Sequence, residues 1–170
     1  MIMSNKSKVK YWVIGLFWYV FASSAYANWL FDGYLIIPPV CQISHIDPLK
    51  VSFGKVGVRK VNGVAYKQPI PFELNCEGDM KQPWDISLIF SGSLAGSGFD
   101  DSTLRTISAL NNGKLGIQIQ RDGKPQPLNK PFLINQFDLP SLSAVPVMRA
   151  GSELVGDNFT ASGTLTIMFE

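Results

Sequence analysis

Histidine is nearly missing from this 170-residue chain: only His45 carries an imidazole. A hydrolytic triad would have to be built around that one residue, and His45, just after Cys41, reads as a surface or internally satisfied histidine. Cysteine stops at Cys41 and Cys76, too far apart for the ligand spacing of a zinc site. No metal or cofactor is therefore expected. Charged residues make up only 16% of the chain, and the lysines and arginines are scattered singly, which excludes a nucleic-acid footprint. The glycine-rich stretch Gly92–Gly98 lacks the lysine and following helix of a phosphate loop. Asp100-Asp101 follow that loop and read as solvated. Together these gaps speak against an enzyme.

Long apolar runs are also scarce. Residues 11–22, YWVIGLFWYVFA, form an apolar run of twelve, too short to span a bilayer comfortably. They follow a basic stretch, Lys6, Lys8 and Lys10, and precede the small residues of Ala25-Tyr26-Ala27. That is the pattern of a secretory signal peptide, with cleavage expected after Ala27 and cleavage after Ala25 as the alternative. The leader would hold three of the fifteen basic residues and none of the thirteen acidic ones, leaving Asn28–Glu170 with twelve against thirteen, a net charge of −1. No stable membrane insertion follows for the exported part. In an exported chain an even cysteine pair reads most simply as one disulfide, Cys41–Cys76.

What is present is period-two alternation, punctuated by glycine and proline. Trp29, Phe31, Gly33, Leu35 and Ile37 share one face of the segment 29–37. Phe159, Ala161, Gly163, Leu165, Ile167 and Phe169 share one face of a strand expected to run without a break to the end of the chain. Strands are also expected over 49–56 (Leu49, Val51, Phe53), 70–76 (Ile70, Phe72, Leu74, Cys76), 84–90 (Trp84, Ile86, Leu88, Phe90) and 115–120 (Leu115, Ile117, Ile119). Asp122-Gly123 marks a hairpin turn after the last of these. A helical turn is expected only at 102–110, with Ser102 as a possible cap. Several short strands in one domain-sized chain indicate an all-β sandwich.

In order along the chain, the motifs are Phe31-Asp32-Gly33-Tyr34-Leu35-Ile36-Ile37-Pro38-Pro39-Val40-Cys41, Val51-Ser52-Phe53-Gly54-Lys55-Val56, Phe72-Glu73-Leu74-Asn75-Cys76, Leu115-Gly116-Ile117-Gln118-Ile119, and Gly156-Asp157-Asn158-Phe159 leading to Phe169. Behind a signal peptide, this succession resembles the subunits of chaperone–usher pili, the type 1 and P pilin family. The similarity covers the whole exported chain. Three departures stand out: Phe169 replaces the family's penultimate tyrosine, Val40 separates the proline pair from Cys41, and the arm before Gly33 is short.

The resemblance implies an incomplete immunoglobulin-like β-sandwich that lacks its last strand and is completed by a donated one. It divides the chain into a signal peptide at 1–27, a donor-strand arm at 28–40 and a pilin domain at 41–170. The arm face of Trp29, Phe31, Gly33, Leu35 and Ile37 would fill a neighbouring subunit's groove. The chain's own groove would lie beside Phe159, Ala161, Gly163, Leu165, Ile167 and Phe169, with Ala161 and Gly163 leaving room for large incoming side chains. Glu170 would carry the carboxylate that a chaperone grips. The implied partners are a periplasmic pilus chaperone, an outer-membrane usher and neighbouring subunits, and the implied destination is a cell-surface fimbrium of a Gram-negative bacterium. Within the family, the YLIIPP stretch is closest to the arms of tip adaptors, which points to a minor or tip-adaptor role. A fibre terminator or anchor subunit, and a secreted carbohydrate-binding module, remain as alternatives.

Overall fold

The computed structural model describes residues 28–35, 39–44, 49–78 and 85–169. The expected leader at 1–27, Ile37, His45, Trp84 and Glu170 fall outside the described residues. The chain separates into two units, residues 1–35 and 36–170. In the first, residues 28–35 carry no ladder pairing, and Trp29, Phe31 and Leu35 are 79%, 88% and 95% exposed.

Among its described residues the second unit holds twelve strands and a single 3-10 turn at Val58–Lys60. The strands are β1 (Val40–Ile43), β2 (Gln68–Pro69), β3 (Leu74–Glu77), β4 (Ile86–Gly92), β5 (Thr103–Arg105) and β6 (Ile107–Ser108). They continue with β7 (Leu115–Arg121), β8 (Lys124–Pro125), β9 (Pro131–Ile134), β10 (Leu142–Met148), β11 (Phe159–Thr160) and β12 (Gly163–Phe169). One sheet runs β2-β10-β7-β5, with β8 also paired to β7; a second runs β12-β4-β9. Two ribbons, β1-β3 and β11-β6, complete the fold. Every ladder among the described residues is antiparallel.

The inner faces of the two sheets supply one core. Leu88 and Phe90 from β4 and Phe132 from β9 meet Ile117 and Ile119 from β7 and Leu142 from β10. Alternation places them there: in β7, residues 115, 117 and 119 point inward while Gln118 points out. This is an all-β, incomplete immunoglobulin-like sandwich. The turn after β7 behaves as its sequence requires, since Asp122 and Gly123 take φ of 50° and 77° and Arg121 pairs with Lys124. Cys41 and Cys76 face each other across β1 and β3 and are joined by a disulfide.

Four expectations need correction. Residues 102–110 hold no helical turn but the short strands β5 and β6. The β-branched Thr103, Thr106 and Ile107 favour extended backbone, and Thr103 and Leu104 gain ladder partners on β7. The 70–76 run keeps its alternating burial but forms a strand only from Leu74, because Pro71 has no N–H to give a ladder. Residues 49–56 also alternate in burial but join no ladder; burying every second side chain does not supply a neighbouring backbone. The final strand is broken at Ala161-Ser162 into β11, which pairs with β6, and β12, which pairs with β4.

Candidate functional site

A groove of about 1030 Å³ runs between two stretches that come from distant parts of the chain. One wall is 49–56 and the other is 157–165. Phe90, Leu104, Ile117, Ile119 and Ala144 form its floor. These floor residues belong to the core, so the groove is a place where the core reaches the surface. β12 bonds β4 along one edge, and no described strand bonds its other edge. An open strand edge next to apolar side chains is a template for a further strand.

The structure sorts the residues expected along this wall. Phe159, Leu165 and Ile167 are half-buried and pack against the core. Phe159, Ala161, Gly163 and Leu165 line the groove, while Ile167 and Phe169 lie farther along β12. At Gly163 the missing side chain serves the interior: a Cβ there would stand 2.4 Å from Cε1 of Phe90 and 3.1 Å from the Ser91 carbonyl oxygen. The space beside Gly163 is therefore taken by the Phe90 ring. Across the groove, the rings of Phe53 and Phe159 approach to 6.0 Å between centroids, tilted by 35°. That contact joins the two walls where no strand lies between them.

A hydrogen-bonded clasp holds the start of the 157–165 wall. The Asp157 carboxylate accepts from the Ser108 hydroxyl (2.7 Å), the Leu110 N–H (2.8 Å) and the Asn158 N–H (2.8 Å). One turn away, the Asn111 side chain donates to the Val155 carbonyl and accepts from its N–H, both at 2.9 Å. The Ser108 hydroxyl and the Leu110 N–H hold the Asp157 carboxyl below its ordinary value. Sequence reading singled out Gly156-Asp157-Asn158-Phe159 as a lead-in to the strand but could not find the clasp, because the partners lie 47 and 49 residues away.

The acidic pair Asp100-Asp101 also has structural partners. Burial pushes Asp100 up, but hydrogen bonds from Ser102, Thr103 and Gln118 outweigh it and hold the carboxyl below its usual value. Asp101 pairs with Lys130 at 3.0 Å. Among the described residues no cluster of His, Cys, Asp and Glu could hold a metal ion, and no helix is long and apolar enough to cross a membrane.

With this geometry in place, comparison with known proteins becomes informative. The family model described as "Fimbrial protein" matches residues 29–170. The chain is 32% identical over 144 residues to the fimbrial-like protein YfcQ of Escherichia coli (strain K12), covering 82% of this chain and 85% of that one. It is 26% identical to the putative minor fimbrial subunit PmfE of Proteus mirabilis (strain HI4320), covering 81% of this chain but 42% of the relative's length. Among solved structures, the P pilus rod subunit PapA matches 84% of this chain with a TM-score of 0.56 at 17% identity, all of that chain being covered. The P pilus adaptor subunit PapF matches 79% of this chain and 98% of its own at a TM-score of 0.54 and 19% identity. These structural likenesses carry the fold. An open antiparallel sandwich, a disulfide at its first ladder and a family match over residues 29–170 lead to one conclusion: the chain belongs to the fimbrial protein family, as a subunit of a chaperone–usher pilus.

Proposed function

We propose that this chain is a structural subunit joined to its neighbours by strand donation. Its groove between 49–56 and 157–165 accepts first a strand of a periplasmic chaperone and then the arm of another subunit. Its own Trp29, Phe31, Gly33, Leu35 and Ile37 enter a neighbour's groove. The observation that carries this reading is the open edge of β12 beside an apolar groove of about 1030 Å³. In support, residues 28–35 form no ladder and expose their aromatic and aliphatic side chains. The large arm side chains would each contribute about 1.5–3 kcal/mol on burial, offset in part by ordering the arm. Glu170 would present the chain's terminal carboxylate to the chaperone, and an outer-membrane usher would pass the subunit from the periplasm to the cell surface.

Within the fibre, the reading is a minor or tip-adaptor position. It is supported by the proline-rich end of the arm and by the likeness to a putative minor fimbrial subunit. The Phe53–Phe159 contact across the groove is the one observation that favours a terminator instead. Strand exchange separates the two. The chain from Asn28 would be purified with a pilus chaperone and mixed with a peptide of residues 28–39. Release of the chaperone with formation of a denaturant-resistant peptide complex is expected. A chaperone complex that never exchanges would favour the terminator. A chain that folds stably with no added strand would overturn the missing-strand reading.

A further inference from the structure

Resting on that reading, we propose that Ile107, Leu110 and Val155 form a docking surface for the domain of the arm-donating subunit, at the foot of its arm. These side chains are 74%, 57% and 46% exposed, and their backbones are gathered by the clasp at one end of the groove. Ile107 pairs with Thr160, the Leu110 N–H bonds Asp157, and Val155 is held by Asn111. Asp157 and Thr160, to which Leu110 and Ile107 are tied, line the groove, so the patch adjoins its Asp157 end. Exposed aliphatic residues grouped at the rim of an apolar cleft mark an interaction surface.

The identity of the occupant follows from the direction of the inserted strand and the length of its tether. Every ladder among the described residues is antiparallel, and an arm that continues the pattern beside β12 runs opposite to it. Its beginning then lies near Phe169 and its end near Asp157. If Ile37 is the last inserted residue, positions 38 and 39 leave roughly 7 Å before the donor's first strand. Its domain end is anchored, for Pro39 is buried and packs so closely that a Cβ on Gly78 would come 3.1 Å from its Cα. The donor's domain must therefore stand against the end of the acceptor that carries Ile107, Leu110 and Val155. In this chain the residue at the foot of the arm is Val40, 64% exposed at the start of β1. A second copy of this chain would bring that apolar side chain to the patch.

The test compares two donors on one acceptor: the peptide of residues 28–39, which has an arm but no domain, and a whole second copy whose own groove is filled by the chaperone. Both are offered to the chaperone-held acceptor, wild type or carrying Leu110→Glu or Ile107→Glu. The expected result is unchanged peptide exchange, which also certifies the acceptor's fold, with whole-subunit complexes that dissociate about tenfold faster. A donor with Val40→Lys should recover part of the loss against Leu110→Glu. Equal behaviour of whole-subunit complexes with wild-type and variant acceptors would overturn the docking surface while leaving strand donation intact. Equal loss with peptide and whole subunit would overturn it too, by showing that the patch acts through groove shape. Failure of the peptide on wild-type acceptor would overturn the strand-donation reading and this inference together.

Discussion

Replacing Gly163 by alanine should destabilise the domain through close contact with Phe90 and Ser91. A Cβ at this position would stand 2.4 Å from Cε1 and 3.1 Å from Cζ of Phe90, and 3.1 Å from the Ser91 carbonyl oxygen. The Phe90 ring is buried in the core, and the Ser91 carbonyl belongs to β4, which pairs with β12 at Gly92–Gly163. Neither can yield without disturbing the sheet, so an overpacking cost of about 1–3 kcal/mol is expected. For a domain of this size that is a fall in Tm of roughly 3–10 °C. Gly156 is the control, since a Cβ there meets nothing within 4 Å; Gly156→Ala should stay within about 0.5 kcal/mol of wild type. Thermal unfolding of the chaperone-bound or peptide-filled chain reads both. Adding Phe90→Leu to Gly163→Ala should recover part of the loss. Equal melting of Gly163→Ala and wild type, or no recovery in the double variant, would refute the packing described at this end of the groove.

Reducing the Cys41–Cys76 disulfide opens a loop of 35 residues and should lower stability by about 3.5–4 kcal/mol on the chain-entropy model, checked by urea unfolding with and without reductant. Phe31→Ala in the 28–39 peptide should weaken groove binding by about 1.5–3 kcal/mol, roughly 10- to 150-fold, measured as peptide dissociation; an unchanged rate would remove Phe31 from the contact. Asp157 and Asp100 are held below the ordinary carboxylate value of 3.8, so their contributions are complete above that pH and are lost as pH falls through their depressed folded values. Stability should therefore decline below about pH 4, and Asp157→Asn should flatten part of that decline; a variant with the wild-type acid profile would show that the clasp adds nothing.

Local chemistry alone accounts for much of this protein. The alternation of 115–121 and 86–90 dictates which side chains face the core, because successive strand residues point to opposite faces. Asp122-Gly123 dictates the hairpin, because its turn needs positive φ. The cysteine pair was legible for the same kind of reason. Tertiary structure decided what those patterns could not: which backbone each segment meets. Residues 49–56 alternate like a strand yet wall a groove. The last strand divides at Ala161-Ser162 because β6 takes one piece and β4 the other. Residues 102–110 hold β5 and β6 because β7 and β11 supply their ladders. The Asp157 clasp and the Phe53–Phe159 contact join residues far apart in the chain. Period two determines a face, but pairing is settled only when distant segments arrive together, and here the segments that form the groove come from distant parts of the chain.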